Sequence, residues 1–284
     1  MNGILLILVI AGVTLQQVMK KAYNNKVGGG VFSFAAGSSL VALLFFTITS
    51  GGNLTFSGEY VIYSVLFALA FSTSTVFSFL AIVEGPLALT SLMIQYSLLI
   101  PTVYGLIALG EPIGVYLVVG IIFLMISLLL INIEKKGEKK KITLKWAVYA
   151  FLAFVGNGGC SLVQKVQQVA CNKQFKSEFM LLAYGLAVVV LLLCALFFEK
   201  KDTWKHIKRG FVFWTANGAF NGMVNFLVLV LSGVMAASVM FPLISAGGII
   251  ATFLVSLFVY REKLSTAQTI GLALGIISVV FLNL

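Results

Sequence analysis

Charged residues are scarce in this 284-residue chain. They make up 10% of the sequence, against about 25% in an ordinary soluble domain. Hydrophobic residues account for 60%, and the mean hydropathy is +1.08. A soluble fold of this size could not bury so much apolar surface. The composition excludes a cytosolic enzyme, a secreted disulfide scaffold and a disordered chain, and it predicts a polytopic membrane protein.

Cysteine and proline are also rare, with three and four residues. Cys160, Cys171 and Cys194 are odd in number and fit no metal-binding spacing, so we expect packing residues. The sequence has no phosphate-binding loop, no nucleophile with a nearby base and no basic stretch with interleaved aromatics. We therefore expect no enzymatic activity, no metal, no cofactor and no nucleic-acid partner.

Long unbroken apolar runs fill the chain instead. They indicate an all-α protein, because a membrane barrel would show two-residue alternation. Each spanning helix needs roughly 20 such residues, and turns such as Gly85-Pro86 separate the runs. Ten transmembrane helices are predicted, at about 3–22, 30–49, 59–83, 87–109, 113–133, 144–170, 178–198, 210–231, 235–260 and 265–284.

The chain divides into two similar halves. We predict a first five-helix repeat over 1–133, a basic linker over 134–143 and a second five-helix repeat over 144–284. An offset of 147 aligns Gly12–Gln17 with Gly159–Gln164 as Gly-x-Thr/Ser-Leu-x-Gln. An offset of 151 aligns Glu111 with Glu262, Gly120 with Gly271, Ser127 with Ser278, and Asn132 with Asn283. Since five is odd, the second repeat enters the membrane from the opposite face, as in many secondary transporters.

The basic residues are distributed unevenly between the connections. Sixteen of the 19 lie after the odd-numbered predicted helices, whereas the other face has only Lys173 and Lys176, and Lys165 lies inside the sixth helix. Basic loops are retained in the cytoplasm. We therefore expect a multi-pass protein of the plasma membrane, such as a bacterial inner membrane, with both termini outside.

The turn before the last helix of each half carries a recognisable motif. Leu109-Gly110-Glu111-Pro112 is followed by Gly120, and Tyr260-Arg261-Glu262-Lys263-Leu264 is followed by Gly271. With the ten helices and the two repeats, the chain resembles the EamA-like branch of the drug/metabolite transporter superfamily. The resemblance implies alternating access around a central site. It also implies cytoplasmic termini, which disagrees with the charge count, and we follow the charge count.

Polar residues within the predicted helices are the candidates for substrate binding. The eighth helix carries three amides at a spacing of four, which lies on one helix face. They could form an interhelical seam or line a wet cavity, and both readings stay open. The fourth helix carries polar side chains around Pro101, which interrupts the helix. The candidate site residues are Thr14, Gln17, Gln95, Tyr96, Tyr104, Asn157, Ser161, Gln164, Asn217, Asn221 and Asn225.

Gln17 and Gln164 occupy equivalent places in the two repeats. They could approach the central axis from both halves and hold a neutral or zwitterionic solute between two amides. Lys20 follows Gln17 by three residues, so the pair could instead lie near helix ends in interfacial water. Both readings stay open, as do the depth of Lys165 and the role of Glu84.

These features favour a secondary active transporter that moves a small polar or amphipathic metabolite by alternating access around a midplane cavity. The expected partners are that solute and the lipid bilayer. Coupling to protons or other ions and the oligomeric state stay open, and a monomer is compatible with the sequence. The alternatives are a non-transporting membrane scaffold or partner subunit, and a lipid-carrier flippase.

The charge count predicts that the linker is cytoplasmic. Single cysteines at Gly137 and Asn53 are labelled by an impermeant thiol reagent in intact cells, in a variant without the three native cysteines. We expect labelling at Asn53 and protection at Gly137, because Lys135–Lys145 holds six of the 19 basic residues. The opposite pattern would restore the orientation implied by the resemblance.

Overall fold

The structure is a computed structural model that describes residues 2–52, 54–84, 90, 93–94, 96–131, 143–258 and 265–282. Helices make up this part of the chain, and no strand occurs in it. We number the ten apolar helices in chain order as α1 (Asn2–Lys26), α2 (Val31–Thr49), α3 (Val61–Glu84), α4 (Leu99–Ala108), α5 (Val115–Ile131), α6 (Leu144–Ala170), α7 (Lys176–Cys194), α8 (Phe211–Ser232), α9 (Ala237–Phe258) and α10 (Thr266–Leu282).

Six of these helices, namely α1, α2, α3, α6, α7 and α8, are long and apolar enough to cross a membrane. The other four are apolar over shorter described stretches. The described residues also include short helical turns and a short helix, Thr203–Arg209, between α7 and α8. The protein therefore has the helical, apolar character of a membrane protein.

The chain forms two compact units. Unit 1 consists of Met1–Val76 and Val163–Gly233, and unit 2 consists of Phe77–Leu162 and Val234–Leu284. Each unit draws on both of the sequence segments predicted as repeats. The helices α3 and α6 contribute residues to both units.

In unit 1, α8 packs closely against α1 and α2. A Cβ atom at Gly12 of α1 would lie 2.5 Å from Val224 Cγ2 of α8, and one at Gly222 would lie 2.8 Å from the Phe45 ring of α2. At Gly218 it would overlap the backbone carbonyl of Ser38. Small residues at such crossings let helix backbones approach closely in lipid, and here they bring the polar face of α8 within reach of its neighbours.

In unit 2, α5 and α10 are joined by two matching hydrogen bonds. The Ser127 hydroxyl donates to the Gly271 carbonyl at 2.6 Å, and the Ser278 hydroxyl donates to the Gly120 carbonyl at 2.7 Å. Partner numbers fall along α10 as they rise along α5, so the helices run antiparallel. The offset of 151 residues exchanges one bond for the other, since it aligns Ser127 with Ser278 and Gly120 with Gly271.

Two glutamates cap helices far away in sequence. Glu111 accepts from the backbone N–H groups of Ala237 and Ser238 at 2.7 and 2.8 Å, at the start of α9. Glu199 accepts from the N–H groups of Phe32 and Ser33 at the start of α2. A carboxylate at this end satisfies unpaired donors and faces the positive end of the helix dipole. From sequence alone, Glu111 is expected to cap the next helix, α5. The capped helix is α9.

The fourth predicted span is interrupted slightly before the predicted position. The sequence predicts a span over 87–109 interrupted at Pro101. The described residues before the break are helical (90, 93–94 and 96), and α4 begins at Leu99 after a turn at Ser97 and Leu98. Pro101 therefore lies in the first turn of α4. A backbone N–H at this place would have no partner within the helix, so the proline costs no hydrogen bond. Gly85, Pro86 and Gln95 lie outside the described residues.

The matching bonds between α5 and α10 predict equal losses of stability. Ser127→Ala and Ser278→Ala should each lower the free energy of unfolding by about 0.6–1.7 kcal/mol, the range for a hydrogen bond between membrane helices. The double variant should lose about the sum, because the two bonds are two helical turns apart. Thermal unfolding in detergent measures these losses. A loss in one variant alone would show that the two contacts are not equivalent.

Candidate functional site

Several polar side chains of unit 1 converge on α8. Five of them, from four helices, form one hydrogen-bonded group that we call the amide cluster: Gln16 of α1, Gln164 of α6, Tyr184 of α7, and Asn221 and Asn225 of α8. The asparagines lie one helical turn apart and so share a face. Apolar residues before and after them keep α8 in the helical bundle.

The amides of the cluster form a continuous chain. Gln164 Nε2 donates to Asn225 Oδ1 at 2.7 Å, Asn225 Nδ2 donates to Asn221 Oδ1 at 3.1 Å, and Asn221 Nδ2 donates to Gln16 Oε1 at 3.0 Å. The two middle amides, Asn221 and Asn225, both donate and accept, which aligns the dipoles along the chain. In a medium of low dielectric constant such aligned hydrogen bonds strengthen one another.

Tyr184 supports the cluster from an aromatic pocket. Its ring is fully buried, with centroids 5.9 Å from Phe46, 6.1 Å from Phe67 and 5.5 Å from Phe71. Its hydroxyl donates to Asn221 Oδ1. The rings fix the tyrosine, and the tyrosine in turn orients the Asn221 amide.

The three asparagines of α8 lie in two environments. Asn217 is buried, and its Nδ2 donates to Ser38 Oγ of α2 at 3.1 Å, while Ser38 Oγ donates to the Trp214 carbonyl at 3.2 Å. Asn221 and Asn225 are half-buried and belong to the amide cluster. Asn217 thus joins two helices as a seam, whereas the other two retain some accessibility.

The remaining candidates of α1 and α6 have simpler surroundings. The Thr14 hydroxyl donates to the Ile10 carbonyl of its own helix at 2.8 Å, a common arrangement for hydroxyls in membrane helices. Ser161 is half-buried. Gln164 is buried and joins the cluster, but the side chain of Gln17 lies outside the described residues. The proposed pairing of Gln17 with Gln164 therefore stays a prediction.

Candidates from α4 and its surroundings belong to unit 2. Asn157 Nδ2 donates to Ser97 Oγ at 2.7 Å and so holds the turn before α4. The Tyr96 hydroxyl donates to the Met125 carbonyl at 3.2 Å, and Tyr104 is half-buried. A small cavity beside Tyr96 and Pro242 has room for about one water molecule. These residues act within helix packing in the structure.

The sequence leaves the roles of Lys165 and Glu84 open, and the structure gives each of them a partner. Lys165 is 5% exposed, and its ammonium donates to the Ser232 carbonyl at the C-terminal end of α8 at 3.1 Å. That end carries the negative pole of the helix dipole, which favours a cation. Glu84 forms an ion pair with Lys145 at 3.0 Å, with both side chains partly exposed. Neither charge enters the amide cluster.

The cluster suits recognition of an uncharged polar group. It contains no acid or base, and no group of His, Cys, Asp or Glu that could hold a metal occurs within the described part of the chain.

Cys171, in the turn after α6, is buried, and desolvation raises the pKa of its thiol above the ordinary value. A protonated thiol is a poor nucleophile, in keeping with a packing role.

Two members of the cluster, Gln16 and Tyr184, are not among the site residues that the sequence predicts. The repeat motif points to Gln17, whereas its neighbour Gln16 contacts Asn221. A signal was present, since Tyr184 carries the one hydroxyl group between Phe179 and Phe198. A lone polar group in such a run needs an internal partner.

Comparison with known proteins supports the fold and gives no information on function. No family model matches the sequence, and no curated protein matches it. The chain is similar to a protein of known crystal structure, with a TM-score of 0.78 and 12% sequence identity, over 99% of this chain and 95% of that one. At this identity the likeness concerns the arrangement of helices alone.

Removal of the Tyr184 hydroxyl should weaken the cluster without disturbing the aromatic pocket. Tyr184→Phe should lower the free energy of unfolding by about 0.6–2 kcal/mol, because Asn221 Oδ1 loses one of its two donors. Thermal unfolding in detergent measures the change. Tyr149→Phe, whose ring packs against Phe77 in unit 2, is the control and should behave like the unmodified protein. An unchanged Tyr184→Phe variant would contradict the role of the hydroxyl.

Proposed function

We propose that the protein is a secondary active transporter of a small polar or amphipathic metabolite, and that the amide cluster contributes to its substrate site. The observation that carries the proposal is the chain of uncharged amides from Gln16 to Gln164 among apolar helices. Close packing at small residues such as Gly12 and Gly222 already holds these helices together. Four linked amides and a tyrosine exceed what packing requires.

The chemistry of the cluster favours a neutral or zwitterionic substrate. An amide can exchange its protein partner for a substrate carbonyl, amine or hydroxyl at little net cost, because each hydrogen bond is replaced by another. An unpaired charge at mid-membrane would cost at least about 2.5–3.5 kcal/mol, and the cluster offers no countercharge. Asn221 and Asn225, which are half-buried, are the members best placed to accept such an exchange.

The two matching hydrogen bonds between α5 and α10 support an inverted repeat. A two-fold axis between antiparallel helices would carry the Ser127–Gly271 bond onto the Ser278–Gly120 bond, as the offset of 151 residues requires. This symmetry agrees with the ten apolar helices of the described residues and with the composition of the two compact units, each of which contains segments from both halves of the sequence. Two halves related in this way can exchange inward-open and outward-open states, which is the basis of alternating access.

The resemblance to EamA-like drug/metabolite transporters belongs to the same proposal. It rests on the turn around Glu111 and on the ten-helix plan. We place the basic connections after the odd-numbered helices in the cytoplasm of a plasma-membrane protein. A non-transporting scaffold and a lipid-carrier flippase are the competing functions, and a transport measurement distinguishes among them.

Transport is tested by stabilisation followed by flux. A library of neutral, zwitterionic and charged metabolites is screened for a rise in the unfolding temperature of the detergent-solubilised protein, since a ligand at 100 times its Kd stabilises by about 2.7 kcal/mol. Hits are then tested for uptake into proteoliposomes. We expect the hits to be neutral or zwitterionic and to be transported. Binding without flux would indicate a non-transporting protein, and stabilisation by lipid-linked compounds alone would indicate a flippase.

Asn221→Ala should impair transport more than folding. Flux per folded molecule should fall at least about ten-fold, since one lost hydrogen bond of about 1.4 kcal/mol corresponds to that factor. The free energy of unfolding should also fall, because Asn221 hydrogen-bonds with Gln16, Asn225 and Tyr184, so flux is compared per folded molecule. The matched variant is Asn217→Ala on the same face, which should lower the unfolding temperature and leave flux per folded molecule intact. A reversed pattern would make the cluster a packing seam.

A further inference from the structure

The connection between α7 and α8 combines cations with exposed aromatic rings. We call residues 195–209 the basic connection. It carries five basic side chains against Glu199 and Asp202, and all five are exposed, namely Lys200, Lys201, Lys205, Lys208 and Arg209. Trp204 is 63% exposed, Phe197 74% and Phe198 65%. The connection therefore presents positive charge beside apolar surface.

The acids of the basic connection are already engaged. Glu199 caps α2 through the Phe32 and Ser33 N–H groups, and Asp202 pairs with Lys205 at 3.5 Å. Among the described residues, the other four cations have no ion-pair partner: Lys200, Lys201, Lys208 and Arg209. Their charges remain available to an anion from outside the protein.

The basic connection is held in a fixed shape. The Thr203 hydroxyl donates to the Ala195 carbonyl at 2.9 Å, and Trp214 Nε1 of α8 donates to the Ile207 carbonyl at 2.9 Å. These bonds anchor the helix Thr203–Arg209 at both ends. A fixed helix presents its cations without the entropy cost of ordering a loop.

The helix Thr203–Arg209 follows α7 and precedes α8 in the chain, so it stays close to the ends of these two apolar helices. The basic connection joins the end of α7 at Cys194 to the start of α8 at Phe211, and both helices are long and apolar enough to cross a membrane. A tryptophan beside basic residues is typical of the level of the lipid headgroups. Clusters of four to eight Lys or Arg on a helix at this level attract anionic lipids, each residue contributing about five-fold in affinity.

We propose that the basic connection is a binding surface for anionic phospholipid headgroups, with Lys200, Lys201, Lys208 and Arg209 on the phosphates and Trp204 at the headgroup level. The occupant is a lipid because the exposed rings of Phe197 and Phe198 continue the cationic surface into an apolar one. A free anion would contact the cations alone. This surface lies apart from the amide cluster in sequence and chemistry, and it does not depend on transport.

Tryptophan quenching by brominated lipid tests the surface. The full chain is placed in phosphatidylcholine nanodiscs that contain a small equal fraction of brominated phosphatidylglycerol or brominated phosphatidylcholine. The signal of Trp204 is isolated by subtraction of the W204F variant. We expect phosphatidylglycerol to quench Trp204 at least about two-fold more strongly at low salt, and the difference to vanish at 1 M salt, where the Debye length is about 3 Å.

Matched charge variants assign the effect to this surface. The variant K200Q/K201Q/K208Q/R209Q should lose the preference for phosphatidylglycerol. The control K136Q/K139Q/K140Q/K141Q removes the same number of charges from the linker and should retain it. Equal quenching by the two lipids, or equal loss in the control, would overturn the proposal. So would displacement by inorganic phosphate beyond that by chloride at equal ionic strength, since it would indicate a free-anion site.

Discussion

The lack of water inside a bilayer is the constraint on which the rest of this structure depends. A polar group in that environment must find its partner within the protein, because solvent cannot supply one. The chain meets the constraint with backbone carbonyls, hydroxyls and amides, as the bonds of Ser127 to Gly271 and Asn217 to Ser38 show. Glycines at the crossings bring the helices close enough for these short side chains to reach.

Ionised groups follow the same constraint at the helix ends. Glu111 and Glu199 lie at the N-termini of α9 and α2, where N–H groups lack intrahelical partners. Lys165 lies at the C-terminus of α8, against the Ser232 carbonyl. Each charge thus faces the pole of a helix dipole that has the opposite sign. Helix ends stabilise these charges, and the amide cluster can remain free of charge.

An uncharged cluster has consequences for function. Hydrogen bonds between membrane helices are individually weak, at about 0.6–2 kcal/mol. In the transporter that we propose, a substrate group would therefore replace one link of the Gln16–Asn221–Asn225–Gln164 chain without a large energetic penalty. Tyr184 holds Asn221 from the apolar side and would keep the cluster ordered during such an exchange. The same weakness would allow partners to change as a transporter alternates between states, which an ion pair would resist.

Composition and turn residues alone determined that this chain is helical and apolar, and they predicted ten spans and singled out Gln164, Asn221 and Asn225, which the structure joins in one hydrogen-bonded cluster. Tertiary structure decided that Gln16 meets Asn221, that Tyr184 joins them and that Glu111 caps α9 instead of α5. The reason is physical. Soluble helices show their buried face by an apolar stripe, whereas helices that are apolar all round carry almost no such signal. Their rotation and partners are therefore set by packing between residues far apart in the chain.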